Sequence, residues 1–416
     1  MLYSRGTCLM NPKLSQTFSA LKYPNYRLWF GGQMVSLVGT WMQSTAQGFL
    51  IYQLTQSAGF LGLIGFVSGL PTWLFTLYGG VIADRIPRRK LIIITQSSMM
   101  LLAFVLAALV FTNLVQPWHV LVLAFLLGTA NAFDAPARQS FVLEMVEREA
   151  LTNAIALNSS IFNIGTVIGP AIGGLVYGWL GPGWCFTING ISFIAVIAAL
   201  AFMRLPTAAK SQEKQKLQLS QLMTGVRFVL GNKDILTLEI VVVAVSVFGF
   251  GMLNLMPAWA STVLHGDVHT NGWLLSARGV GSLVAALMIA YLGSRNIRGK
   301  IWSIGSIVMP IALFIFGIFK VLPVSLLMLV FLGWGFMSVV NTTNAMIQSW
   351  VPDDLRGRVL SVHVLLFMGT APLGSLLSGA LAEKVGEPAT ALINAGILLA
   401  VTAVVFMLRP SIRQLE

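Results

Sequence analysis

Apolar residues run along the chain in long blocks, each closed by a cluster of charged or turn-forming residues. The blocks fall near 28–52, 59–83, 91–112, 118–143, 152–178, 184–203, 235–262, 272–293, 301–319, 323–348, 357–382 and 389–408. A helix needs roughly 20 apolar residues to cross the hydrocarbon core of a bilayer, so the pattern predicts twelve membrane-spanning helices. Several blocks are longer, which suits tilted or kinked helices around a cavity. One long polar interval, at about 205–234, divides the spans six and six. Within it Leu219, Leu222, Met223, Val226 and Leu230 recur at helical spacing, which predicts an amphipathic helix lying on the cytoplasmic membrane surface. The expected division is an N-terminal segment 1–27, a six-helix bundle 28–203, a linker 204–234, a second six-helix bundle 235–408 and a tail 409–416.

Composition agrees. Of 416 residues, 56% are hydrophobic and 10% charged, where soluble proteins carry about a quarter charged. That is too little charge to wet a soluble fold of this size, and it excludes a cytosolic enzyme and a disordered chain alike. The net charge of +12 would suggest nucleic acid in a soluble protein. Here the basic residues sort by side instead. Of 26 Lys and Arg, 23 fall on the side that carries both termini, Lys320 and Lys384 fall on the other, and Arg278 lies within a span. Cytoplasmic loops collect Lys and Arg, so both termini are expected in the cytoplasm, with the lipid bilayer and not nucleic acid as the partner. Residues 1–25 hold Arg5, Lys13 and Lys22 and no apolar run, so no cleavable signal peptide is expected. Cys8 and Cys185 form neither a disulfide framework nor a metal site.

The halves repeat. One offset lays Gly128 on Gly333, Val146 on Val351, Gly169 on Gly374 and Gly174 on Gly379. A second offset, five positions longer, lays "DRIPRRK" (84–90) over "SRNIRGK" (294–300). Paired six-helix repeats are an architecture of secondary transporters, with the substrate near the midplane between them.

At this point the residues resemble the major facilitator superfamily. "GGVIADRIPRRK" (79–90) is similar to its signature loop between helices 2 and 3, and "GTVIGPAIGG" (165–174) to its helix-5 antiporter motif. "KYPNYRLWFGGQMVSLVGTWMQ" (22–43) and "DAPARQSFV" (134–142) look closest to the bacterial branch that holds the enterobactin exporter and the transmembrane secretion effectors. The resemblance implies an all-α fold of twelve transmembrane helices in two pseudo-symmetric bundles. It also implies a cytoplasmic latch of Gly80, Asp84, Arg85, Arg88 and Arg89 with Asp134 and Arg138, Asp134 pairing with a loop arginine such as Arg88. One departure stands out. The drug antiporters of the superfamily carry an acid in helix 1 and a central arginine in helix 4, whereas residues 28–52 are uncharged and Arg138 lies near the cytoplasmic end.

Several residues invite a functional reading. Gly165, Gly169 and Gly173 recur every four residues, with Pro170 and Gly174 beside them, a pattern that admits a close neighbour and bends the helix. Gln33, Ser36, Thr40, Gln43 and Gln47 form one uncharged polar stripe along helix 1, expected to face a wet cavity or other helices. Asn131, Asn254, Asn341 and Asn344 are further candidates for that cavity, because helices 1, 4, 7 and 10 line it in the resembled family. Ionisable residues within spans mark function by default. Besides Asp134 and Arg138 these are Glu239, about one turn into its helix and able to snorkel, Arg278, placed to receive an anion, and His363, able to carry a proton.

No P-loop, HExxH or G-x-S-x-G occurs, so no enzyme, cofactor or ATP site is expected, and transport must run on an ion gradient or on substrate gradients alone. The expected protein is a bacterial inner-membrane, multi-pass, monomeric secondary transporter. It exports small amphipathic or lipophilic compounds of drug or siderophore type by proton-coupled alternating access. The alternative is a lysophospholipid or metabolite transporter working inward.

Overall fold

The computed structural model describes residues 18–204, 219–292 and 297–409, with the side chains of 76–81, 83–85 and 219–222 outside that description. A short 3-10 turn, Ser19–Lys22, leads into α1 (Pro24–Thr55), α2 (Ala58–Arg85), α3 (Arg88–Phe111), α4 (Pro117–Phe141), α5 (Arg148–Leu180) and α6 (Pro182–Phe202). After α7 (Leu219–Gly231) come α8 (Lys233–Val263), α9 (Val268–Leu292), α10 (Arg298–Ile318), α11 (Leu322–Trp350), α12 (Asp353–Val385) and α13 (Glu387–Leu408). Eleven of these are long and apolar enough to cross a membrane. The 32-residue α1 is not among them, because its polar residues lower its mean hydropathy.

Local chemistry sets the ends. Ser57 caps α2 by accepting from the Phe60 N–H, and Asn232 caps α8 by accepting from the N–H groups of Asp234 and Ile235. Proline opens α1, α4, α6, α11 and α13, where its missing N–H costs nothing. Gly181 and Gly386 end α5 and α12 at φ of 90° and 82°, a conformation that a side chain disfavours, and each lets the chain reverse at once into the next helix. These two glycines correspond under the same offset that relates Gly169 to Gly374.

The halves meet at two crossings that the repeat also relates. In one, α2 packs on α12. A Cβ on Gly62 would lie 2.6 Å from the Ser375 carbonyl, and one on Gly379 would lie 2.5 Å from the Gly62 Cα. In the other, α5 packs on α9. A Cβ on Gly174 would lie 2.9 Å from the Val268 carbonyl, and one on Gly272 would lie 2.7 Å from that of Pro170. The first offset of the repeat carries Gly174 onto Gly379 and the second carries Gly62 onto Gly272, so each crossing is the counterpart of the other. Both lie toward the end of the bundle remote from the basic loops. There Glu383 of α12 also reaches across the halves to the start of α2, accepting from the Ser57 hydroxyl at 2.9 Å and the Gly59 N–H at 2.8 Å. A carboxylate suits the positive end of that helix.

Two expectations change. The span at 235–262 is not one regular helix. After Ala244 it passes through a π segment (Val245–Phe250), a 3-10 segment (Gly251–Leu255), a short α turn (Met256–Ala258) and a second π segment (Trp259–Val263). Pro257 removes a backbone donor here, Gly251 seats against the backbone of Gly374, and the Ser246 hydroxyl donates to the Phe367 carbonyl at 2.6 Å. The linker helix α7, for its part, docks on protein. A Cβ on Gly225 would lie 2.7 Å from the Arg358 carbonyl, and Val229 is buried among Ile347, Val351, Val359 and Val362, while Met223 and Leu230 point outward. Segments 1–17, 205–218 and 410–416 of the expected N-terminal segment, linker and tail lie outside the described residues.

Overpacking a site this tight costs about 1–3 kcal/mol. Gly272→Val is expected to lower the melting temperature of the purified protein by several degrees. Gly31→Val, at a position with nothing within 4 Å, should leave it unchanged. Equal melting curves for the two variants would contradict the crossing as described.

Candidate functional site

Beneath the two crossings lies a cavity of about 400 Å³. The first half supplies Trp41, Ser44, Thr45 and Gly48 of α1, Gly65, Ser68 and Gly69 of α2, and Pro170 of α5. The second half supplies Phe250, Leu253, Asn254 and Pro257 from the irregular part of α8, Leu275 and Arg278 of α9, and Phe367, Met368, Ala371, Pro372 and Ser375 of α12. Irregular backbone at membrane depth occurs where it lines a cavity or is buried in protein, and α8 fits that pattern. The Asn254 amide donates to the Ser375 hydroxyl at the wall. The lining is mostly apolar and aromatic, with a few hydroxyls, one amide and one guanidinium.

The helix-1 stripe does not line this cavity. Gln33, Ser36, Gln43 and Gln47 are buried between helices, and Thr40 bonds back to the Ser36 carbonyl at 2.9 Å. Gln43 accepts from Asn189 of α6 at 2.7 Å, and Asn189 in turn accepts from Ser192 at 3.0 Å. Gly32 and Gly39 let α1 lie against α6 on this side. The residues that do meet the cavity, Trp41, Ser44, Thr45 and Gly48, are mostly one position further along, a rotation of about 100° on a helix with 3.6 residues per turn. Periodicity reports that a face is polar and not what it faces. Of the four asparagines, Asn254 lines the cavity and Asn131, Asn341 and Asn344 do not; Asn344 accepts from Gln348 at 2.6 Å.

The helix-5 glycines serve two neighbours. Gly165 faces the Trp41 ring, Gly169 and Gly173 seat the backbone of α1 from Val38 to Met42, and Gly174 meets α9. Pro170 lies between, its ring in the cavity wall and its carbonyl against Gly272. The motif therefore joins the packing of the first half to one of the crossings.

The expected latch pairing is corrected. Arg88 pairs with Glu144 at 2.7 Å, not with Asp134, and Arg89 donates to the Ala201 carbonyl at 3.0 Å. Asp134, fully buried, pairs with Arg138 one turn away at 2.5 Å and accepts from Thr95 at 2.6 Å and from Gln96 at 3.2 Å. Arg138 also donates to Gln33 at 3.2 Å, so the network ties α4 to α3 and α1. The Asp134 carboxylate is satisfied by Arg138 on its own helix and by Thr95 and Gln96 of α3, one to two turns deeper than Arg88. The side chains of Gly80, Asp84 and Arg85 lie outside the described residues.

Glu239 does not snorkel. It is 1% exposed, as is His363, and the two meet at 3.0 Å between Glu239 Oε1 and His363 Nδ1, joining α8 to α12. The second carboxylate oxygen, Oε2, has no partner. The two residues are far apart in the chain, and nothing in either helix's pattern links them; two ionisable residues in spans on the same side of the midplane were the only signal. Arg278, ten residues inside α9 and 8% exposed, stands in the cavity wall with its guanidinium carbon 5.9 Å from the centre of the Phe250 ring.

The family model described as transmembrane secretion effector matches residues 15–416. A multidrug efflux pump, Tap, of Mycolicibacterium fortuitum is 28% identical over 88% of this chain and 91% of its own length. The enterobactin exporter EntS of Escherichia coli O1:K1 is 26% identical over 93% and 91% respectively. Among solved structures, a bacterial homologue of the human lysosomal transporter Spinster superposes with a TM-score of 0.73 at 14% identity, covering 97% of this chain and 98% of that one, which shows the shared fold.

The two ion pairs of the first half should behave differently. Arg138→Ala leaves the buried Asp134 carboxylate uncompensated and is expected to cost about 3 kcal/mol or more; Asp134→Asn in the same chain should recover much of that. Glu144→Gln, which breaks a partly exposed pair, should cost under about 1 kcal/mol. Melting curves of the four proteins test this, and an Arg138→Ala variant as stable as wild type would refute it.

Proposed function

The chain belongs to the transmembrane secretion effector family of major facilitator transporters, and from that premise we propose that it exports small amphipathic or lipophilic molecules by proton-coupled alternating access. The observation that carries this reading is the cavity: both halves build its wall, and the two mated crossings close it at one end. Its apolar, aromatic lining with a few hydroxyls suits cargo of the drug or siderophore type, in keeping with relatives named for efflux and for enterobactin export. The inward-directed alternative draws no support from those relatives.

In this reading all twelve long helices span a bacterial inner membrane, 28–203 and 235–408 are the moving bundles, and 1–27, 204–234 and 409–416 are cytoplasmic with the basic loops. The chain acts as a monomer and needs no cofactor. The crossings of α2 on α12 and α5 on α9 part as the halves rock, and the cavity then opens away from the cytoplasm. The loop 84–90 closes the cytoplasmic end in that second state, with Gly80, Asp84 and Arg85 as the latch and Arg88 and Arg89 anchored on Glu144 and the Ala201 carbonyl.

The Glu239–His363 pair is the proposed proton site. An imidazole and a carboxylate can each take up and release a proton, and an ionisable pair inside a span is a functional candidate by default. The pair has few charged neighbours. From Leu322 to Trp350, α11 carries no ionisable residue, α13 carries only Glu387 at its far end, α7 contributes Arg227, and on α12 Arg358 is the nearest charge. Protonation here acts on the two helices that wall the cavity a few turns further on, at Phe250–Pro257 and Phe367–Ser375.

Cells lacking their own pumps and expressing this protein are expected to accumulate less of a neutral or acidic lipophilic dye, and a protonophore should abolish the difference. Glu239→Gln and His363→Gln, at equal protein levels, should each lower the gradient-driven rate at least tenfold. Export that ignores the protonophore, or that runs at the wild-type rate in both variants, would overturn the coupling. Asp84→Asn with unaltered transport would overturn the latch.

A further inference from the structure

Among the described residues, Arg278 is the one ionisable side chain in the cavity wall, and it is left without a counter-ion. It lies ten residues into α9, about 15 Å along a helix that rises 1.5 Å per residue, near the middle of a bilayer core roughly 30 Å thick. No carboxylate pairs with it among the described residues, and its Nε, fully buried, has no hydrogen-bond partner. A guanidinium held this way loses its hydration and gains in return the face of the Phe250 ring.

The acids of the bundle are committed elsewhere. Within the described parts of the spans, Asp134 is held by Arg138, Thr95 and Gln96, and Glu239 by His363. The remaining described carboxylates, Glu383 and Glu387 among them, sit at helix ends or in loops.

The repeat sharpens the point. The offset that carries Gly62 onto Gly272 also carries Ser68 onto Arg278, and the two occupy matching places. A Cβ on Gly128 of α4 would press on the Ser68 carbonyl, and one on Gly333 of α11 would press on the Arg278 carbonyl. Both residues line the cavity. At equivalent positions, then, one half presents a hydroxyl and the other a fixed cation, so the cavity has an electrically distinct side.

We propose that Arg278 receives an anionic group, a carboxylate in the first instance, carried by an otherwise apolar transported molecule. This rests on the transport reading above. The guanidinium fork matches a carboxylate with two parallel N–H donations. The surrounding Trp41, Phe250, Leu253, Phe367 and Met368 accommodate the apolar body of the same molecule. Molecules with one terminal acid group are favoured over their amides or esters, and cations are disfavoured.

The test uses the purified full chain in lipid nanodiscs and a matched probe pair, dansylglycine and dansylglycinamide, with binding followed by dansyl fluorescence. The wild type should bind the carboxylate at least tenfold more tightly than the amide, as expected for a charge-assisted bond. Arg278→Gln should lose that margin with little change for the amide, and Arg278→Lys should keep part of it. A melting curve for each variant identifies loss of fold. Equal affinities for the two probes in the wild type, no saturable binding of dansylglycine up to millimolar concentration, or a margin that survives in Arg278→Gln would each overturn the proposal. Gradient-driven movement into inverted vesicles separates this from the parent reading. Carboxylate preference without movement leaves the anion site standing and removes export. Equal movement of both probes, unaltered in Arg278→Gln, removes the anion site and leaves export.

Discussion

Two places where backbone touches backbone hold this molecule together across its midline. At Gly62 and Gly379, and again at Gly174 and Gly272, the helices of opposite halves approach with no side chain between them. Inside a membrane there is no hydrophobic effect to drive such contacts, because lipid tails are as apolar as leucine. Close packing of small residues and a few polar contacts, such as the Ser276 hydroxyl donating to the Val167 carbonyl at 2.7 Å, have to suffice. The cavity exists because these contacts are confined toward one end. The irregular α8, α5 with its internal Pro170 and the residues between them then enclose space below.

The membrane also governs the polar residues. Water is scarce there, so most buried polar groups find a partner in the protein, and exceptions such as Arg278 Nε and Glu239 Oε2 stand out. The first half solves this with a chain running from Gln33 through Arg138 and Asp134 to Thr95 and Gln96. The second half pairs Glu239 with His363 and Trp302 with Thr343, the indole donating at 3.0 Å. The two solutions are unalike although the helices that carry them repeat. The close backbone contacts at the two crossings correspond between the halves, and the charged chemistry does not.

Much of this was legible in the residues. Long apolar blocks marked the helices to within about a turn, and the first offset of the repeat marked Gly174 and Gly379, one at each of the two crossings. Three matters were not legible, each for a physical reason. The polar stripe of α1 announced a buried polar face, but burial against Asn189 and burial against a cavity leave the same periodicity. The α8 break was signalled only by Gly249, Gly251 and Pro257, which regular transmembrane helices also tolerate. The Glu239–His363 contact joins helices distant in sequence, and no spacing rule reaches from one to the other.

The run Gly169, Gly173 and Gly174 bears on how a protein of this design diversifies. These positions touch main-chain atoms of α1 and α9, and main chain has the same shape whatever the sequence. A larger residue there cannot be rescued by trimming a neighbour's side chain. The cavity wall is different, since Trp41, Ser44, Leu253 and Met368 each border empty space and can change one at a time. Over evolutionary time, novelty in what is carried should therefore accumulate on the lining, while the small residues at these backbone contacts are inherited as a fixed frame.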